Sequence, residues 1–315
     1  MNAERRRTTW YAALAALLIL QSAACHRENT YEGQPLAHWY AALADTNTLV
    51  RSQAARIVSQ AAPEHPETVR RLLDALTAES DSTVHAALAE ALGEVVGKNP
   101  NSPEIMQSIV ALTRDQHESV RIAAIAAVGH ALTTSPPGTA LNPAGEEVLR
   151  SSLRDLNHHI RIASAEAIRG MTRTRSAEMT SLAPDVAERV LSDRVLYVRL
   201  VSLEAFTHLE STDSLAVLVY GAALRDDWTD MSRFALRGMM HRPTVIAGFA
   251  ESIAAKLRDE DQEIRTLSAN ALGDAGPRAA RPFVIEGLKR ASTDRDSTVR
   301  SAASAALLRL RGTVR

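Results

Sequence analysis

One hydrophobic rhythm recurs along the chain, as DQHESVRIAAIAAVG (115–129), DLNHHIRIASAEAIR (155–169) and DRDSTVRSAASAALL (294–308). Each copy has a β-branched or aliphatic anchor followed by apolar residues four, seven and eight positions on. Val120 is followed in this way by Ala124, Ala127 and Val128, and Val299 by Ala303, Ala306 and Leu307. At about 100° per residue these positions share one face, so every copy predicts an amphipathic helix. The anchors are Val50, Val84, Val120, Ile160, Val198, Ile264 and Val299, in steps of 34, 36, 40, 38, 66 and 35 residues. The step of 66 holds two units, with a degraded copy over 227–240. Another apolar run precedes the anchored helix, for example PLAHWYAALAD (35–45), TVRRLLDALTAE (68–79) and FVIEGLKRAS (283–292), so each unit reads as a helical hairpin. The pattern predicts about eight hairpins over 35–311, stacked so that each shields its apolar side against the next. The fold class expected is an all-α solenoid.

A polar pairing runs in step with the anchors. Six units have aspartate six residues before arginine: Asp45 and Arg51, Asp115 and Arg121, Asp155 and Arg161, Asp193 and Arg199, Asp259 and Arg265, Asp294 and Arg300. The aspartate falls in the turn, where its carboxylate can accept backbone N–H groups and favour the start of the second helix. The arginine, one turn inside, is placed to reach its own aspartate and that of the adjacent unit, giving a structural ladder of charge-assisted hydrogen bonds. The ladder breaks at His85 and in the degraded sixth unit, and these are expected to be the weaker joints.

Composition narrows the class. Aromatic residues are only 4% and alanine is abundant, which suits close-packed helices. The formal charge is −1, from 36 basic and 37 acidic residues, so nothing draws the chain as a whole to nucleic acid, and no nucleic-acid partner is expected.

The first residues carry an address. Arg5, Arg6 and Arg7 precede an apolar run over 10–20 and small residues at 22–24, the layout of a secretory signal peptide over 1–24. The apolar run is shorter than the roughly 20 residues a membrane-spanning helix needs. Cys25, the only cysteine, follows at once, and LQSAAC resembles the lipobox of bacterial lipoprotein signal peptides. That resemblance implies acylation of Cys25, a linker over 25–34 and a solenoid over 35–315. Because His26 is not aspartate, it also implies attachment to the outer membrane, facing the periplasm. The alternatives are a soluble periplasmic protein, after ordinary signal cleavage, and an inner-membrane anchor.

The pattern Asp-x4-(Val/Ile)-Arg-x2-Ala-Ala-x-Ala-Leu-Gly resembles the HEAT repeat, in the short bacterial form similar to the repeats of phycobilin lyases. The head YEGQPLAHWYAALAD (31–45) is similar to the first hairpin of exported bacterial HEAT proteins. The resemblance implies a right-handed superhelix, armadillo-like in plan, whose second helices line a concave surface used to bind proteins. It implies no chemistry.

Chemical motifs are missing accordingly. The sequence has no HExxH or CxxC, no glycine-rich phosphate loop and no G-x-S-x-G elbow, and the neighbouring His158 and His159 lack ligands at metal spacing. Gly93, Gly129, Gly170 and Gly273 stand near the expected ends of second helices, as terminators. No cofactor, metal or catalytic residue is expected. The reading is a lipid-anchored, non-catalytic scaffold or adaptor for protein partners; the alternative is a periplasmic enzyme or enzyme subunit acting on a small molecule, bilin-lyase-like by repeat resemblance alone. One stretch of surface is singled out for binding. Two residues past the anchor stand Ile122, Ile162 and Leu200 in successive units, where other copies have Ser52, Ala86, Thr266 and Ser301. Exposed and stacked about 10 Å apart, the usual helix spacing, they would form an apolar stripe for a partner helix or peptide. The proline-rich insertion over 133–146 lengthens one step to 40 residues and reads as tolerated loop length.

Overall fold

The computed structural model describes residues 30–61, 67–98, 103–134, 138 and 141–312. The segment over 1–24 expected as a signal peptide, and Cys25, lie outside the described residues.

Eight helical hairpins follow one another in chain order. They are α1 (Leu36–Ala42) with α2 (Thr48–Ala61), α3 (Glu67–Ala78) with α4 (Ser82–Lys98), α5 (Pro103–Leu112) with α6 (Glu118–Thr134), and α7 (Pro143–Ser152) with α8 (His158–Arg175). They continue as α9 (Ala183–Ser192) with α10 (Leu196–His208), and α11 (Asp213–Leu224) with α12 (Thr229–Met239). In the seventh unit α13 (Pro243–Gly248) and α14 (Ala250–Lys256) precede α15 (Gln262–Ala275), and the eighth is α16 (Pro282–Ala291) with α17 (Ser297–Leu310). A two-stranded ribbon, β1 (Thr30–Tyr31) and β2 (Gln34–Pro35), precedes the first hairpin. The fold is therefore an all-α solenoid. Its anchors do what the periodicity requires: Val84, Val120, Ile160, Val198, Ile264 and Val299 are buried, and only Val50, in the terminal hairpin, is half-covered. One continuous apolar core runs from Leu36 to Leu310.

The ribbon shields the first unit, which has no hairpin before it among the described residues. Trp39 Nε1 donates to the Tyr31 carbonyl oxygen at 2.8 Å, and Glu32 accepts from Gln53 and Arg56 at 2.9 Å each. The turn needs left-handed backbone at Glu32 and Gly33, and glycine supplies the second without strain. Solenoids need such terminal covers because the last apolar face has nothing to pack on.

The two helical layers pack unequally. Gly93, Gly129 and Gly273 lie inside second helices and do not end them; this corrects their reading as terminators. A Cβ added to Gly93 would fall 2.6 Å from the Ala127 Cβ, one on Gly129 would fall 2.7 Å from the Ala167 Cβ, and one on Gly273 would fall 3.0 Å from the Ala306 Cα. Here glycine permits close backbone approach between second helices of successive units. Gly170 also lies within its helix but faces open space. The first helices stand further apart, with grooves opening between them at the turn edge. The array therefore closes on the second-helix side and opens on the first-helix side.

Two contacts lie on either side of the insertion between the third and fourth units and at its Gly138. The buried Arg175 donates from Nη1 to the Leu132 carbonyl oxygen at 2.9 Å, at the C-terminal end of α6 where carbonyls lack helical partners. Glu178 accepts from the Gly138 amide at 2.8 Å.

Candidate functional site

The aspartate–arginine pairs form a ladder, though with different connections from those expected. An arginine does not bind the carboxylate of its own turn. Arg51, Arg121, Arg161, Arg199, Arg265 and Arg300 each donate from Nη1 to the backbone carbonyl of that aspartate, at 2.8 to 3.2 Å. The carboxylate it takes belongs to the next unit. Arg161 grips Asp193 with Nε at 2.7 Å and Nη2 at 3.0 Å, and Arg265 grips Asp294 at 2.9 and 3.1 Å. Arg199 reaches Asp226 at 3.1 Å in the degraded sixth unit. Arg51 grips Glu79 at 2.7 and 3.0 Å, so the second unit keeps an acid in the ladder position as glutamate. Arg121 and Arg300 make no ion pair among the described residues.

Nor do the turn aspartates cap the second helices. Asp45, Asp115, Asp155, Asp193, Asp259 and Asp294 each accept the amide two residues on, which closes the turn. The helix cap is that second residue: Asn157, Asp261 and Asp296 accept the amides of the first helical turn. Electrostatics follow the contacts. The Arg51 guanidinium holds the Glu79 carboxyl down at about 2, against a desolvation penalty that would raise it. Burial pushes Asp193 up, but Arg161 and the Val195 amide outweigh it and leave it lowered; Asp294 is lowered chiefly by Arg265.

The ladder fails between the sixth and seventh units. Ser232 occupies the arginine position, buried, with its hydroxyl unpartnered. Arg233, one residue on, reaches Asp261 at 2.5 Å instead. At the other expected break His85 Nε2 meets the Leu76 carbonyl oxygen at 3.2 Å, while Gly93 brings that second helix against the next.

The residues of the expected apolar stripe are less exposed than an isolated helix would leave them. Ile122, Ile162 and Leu200 are half-buried, and Ile122 and Leu200 pack against the core. Close approach of the second helices covers positions that an isolated helix would expose. The exposed large apolar side chains stand elsewhere, several of them at the turn edge: Leu49, Leu156, Leu191, Tyr197 and Trp228. Sequence reasoning missed them because turns were read as polar. Leu156 and Trp228, in turns where other units carry Ser80, Gln116 or Glu260, were the available signal.

Grooves on this side share one plan. Each lies between consecutive first helices, with ladder residues at one end. The seventh and eighth units enclose about 1010 Å³, lined by Arg258, Phe283, Glu286 and Arg290 among others. The fifth and sixth enclose about 370 Å³, lined by Leu191, Arg194, Ala222 and Arg225 together with Asp193, Asp226 and Arg199. The third and fourth enclose about 370 Å³ around Arg114, Glu147 and Ser151. All three open to solvent. The histidines do not assemble a centre: His158 and His159 lie ring to ring at 4.1 Å, but His159 bonds Glu118 at 2.6 Å, and the described residues hold no cluster suited to a metal ion.

Residues 36–129 match the family model for HEAT repeats. No curated protein matches the chain. Among solved structures the chain resembles an engineered protein at 18% identity and TM-score 0.58, over 87% of this chain and 78% of that one. It also resembles the Escherichia coli protein YibA at 17% identity and TM-score 0.58, over 87% of this chain and 92% of that one. These likenesses establish the fold. The chain is an α-solenoid in which residues 36–129 are similar to HEAT repeats.

Proposed function

We propose that this chain is a non-catalytic scaffold or adaptor that docks protein partners along the surface of its hairpin stack, held at a membrane by acyl chains on Cys25 and facing the periplasm. The observation that carries the docking role is the first-helix side: a series of open grooves with large apolar side chains left in water beside them, and no enclosed cavity of converging polar groups among them. HEAT repeats commonly serve protein interaction, which fits this reading. The anchoring role rests on the LQSAAC stretch alone. Two or more acyl chains suffice for stable anchoring, since each buried methylene contributes about 0.8 kcal/mol. No described helix is long and apolar enough to cross a membrane.

The two parts separate experimentally. Mass spectrometry of the mature amino terminus is expected to find Cys25 as the first residue, carrying acyl mass; an unmodified terminus elsewhere would remove the anchor and leave the adaptor. Crosslinking of the whole chain in cells is expected to trap discrete protein species through residues of the first-helix side. Failure to trap any protein, with turnover of a small metabolite by the purified chain, would replace the adaptor with an enzyme.

A further inference from the structure

Among the grooves, the one between α9 and α11 combines three features. Apolar side chains at and next to it face water: the lining residue Leu191 is 45% exposed, and Leu218, outside the lining but one helical turn before Ala222, is 59% exposed. Its charge is unbalanced. The acids at its end are occupied, Asp193 by Arg161 and Asp226 by Arg199, whereas the lining residues Arg194 and Arg225 are exposed and have no acidic partner among the described residues. Asp227, next to Asp226 in the chain, is exposed and has no ion-pair partner among the described residues. In the larger groove of the seventh and eighth units five carboxylates face four guanidinium groups, so no such excess arises.

The third feature is Trp228. It stands at the N-cap of α12, where Asn157, Asp261 and Asp296 cap their own helices, and it makes no side-chain cap. A missing cap costs a helix about 1 kcal/mol. Trp228 is 57% exposed, so core burial does not compensate. Its own amide donates to the lining residue Asp226 at 3.1 Å, which holds its backbone next to the groove. Tryptophan and arginine around a small apolar depression are the side chains that carry binding energy at protein interfaces.

We infer that the α9–α11 groove binds an extended protein segment bearing a large apolar side chain flanked by carboxylates, the apolar group seated on Leu191 and Leu218 beside Trp228 and the carboxylates on Arg194 and Arg225. The volume of about 370 Å³ holds one or two side chains and not a folded domain. Paired guanidinium groups bind carboxylates through forked, charge-assisted hydrogen bonds, which sets the sign of the partner. The inference rests on the adaptor reading and narrows it to one groove and one class of partner.

The test is selection of a random dodecapeptide display library on the whole chain, followed by fluorescence titration of the enriched peptides. The expected consensus pairs Asp or Glu with Leu, Phe or Trp. Its affinity is expected to fall at least tenfold in the double variant Arg194→Glu, Arg225→Glu, at least fivefold in Trp228→Ala, and steeply with added salt. Neither arginine is ion-paired, so both variants are expected to keep the thermal midpoint of the parent, and the loss would then report the site and not the fold. An enriched consensus without acids, or one whose binding ignores the double variant, would overturn the inference. If the selected peptides instead responded to Ile122→Asp or Leu200→Asp, this groove would be rejected while the adaptor role survived; no enriched peptide would overturn the groove and count against that role. Binding of anionic phosphatidylglycerol vesicles lost in the double variant, or dimerisation lost in it, would overturn the peptide assignment in favour of lipid or a second copy.

Discussion

The joint between the seventh and eighth units and the joint between the sixth and seventh use the same hairpins with different cement. At the former, Arg265 is buried and grips Asp294 in a two-pronged ion pair, and Gly273 lets α15 settle against Ala306 of α17. At the latter, the arginine position is Ser232 with an orphan hydroxyl, and the glycine position is Met240. Nearby polar groups are also left over: the hydroxyls of Ser202, Tyr220 and Ser268 are buried without partners, and burial pushes the Tyr220 phenol up to about 12. The joint still carries ion pairs from Arg233 to Asp261 and Glu263 and from Arg237 to Glu263, but from exposed or half-buried side chains outside the buried rung position. The polar ladder and the glycine contact set how firmly each joint is held, because neighbouring interfaces contribute separately to the stability of a repeat array.

The largest change should come from breaking the strong joint. Arg265→Ala leaves Asp294 as a half-buried carboxylate without its cation and is expected to destabilise by about 3 kcal/mol, read as a lower urea midpoint at unchanged slope. Next is Gly273→Val, which forces side-chain atoms into space occupied by Ala306. A loss of about 2 kcal/mol is expected, and none at the open position Gly170 under the same substitution, where valine is a better helix former than glycine. In the weak joint the sign reverses. Ser232→Ala removes an unpaired buried hydroxyl and is expected to raise stability by up to about 1 kcal/mol; a loss would mean that Ser232 has a partner in solution.

Acid sharpens the comparison for the first joint. Glu79 titrates at about 2 when folded and near its ordinary 4.5 when unfolded, a lowered value held by Arg51. Its contribution is therefore complete above about pH 4.5 and disappears as pH falls toward 2. The stability difference between the parent and Arg51→Ala is expected to narrow across that window. A constant difference would show that Arg51 acts through its carbonyl contacts to Asp45 and Thr46 alone.

The hairpin plan was legible in the sequence because burial imposes it locally: Val120 and Val299 declare a helix face without knowledge of the neighbours. What depends on neighbours was misread or missed. Glu79 escaped notice because ladder positions were recognised by aspartate, although its carboxylate reaches Arg51 equally well. Gly93 and Gly273 looked like terminators because their true reason, an alanine of the next unit, lies more than 30 residues away. Ile122 and Leu200 looked exposed on an isolated helical wheel and are half-covered by packing. The groove needed α9 and α11 side by side, though Trp228 and Leu156 in otherwise polar turns already pointed to the turn edge.

Hydrogen–deuterium exchange across the second helices tests the central claim, that arginine rungs and glycine contacts decide how firmly successive hairpins are joined. Backbone amides of α12, on the joint that lacks the buried rung at the usual position and the close glycine, are expected to exchange at least tenfold faster than those of α15, and Arg265→Ala should bring α15 close to α12. Equal protection of the two helices in the parent, or α15 unaltered in the variant, would contradict the account.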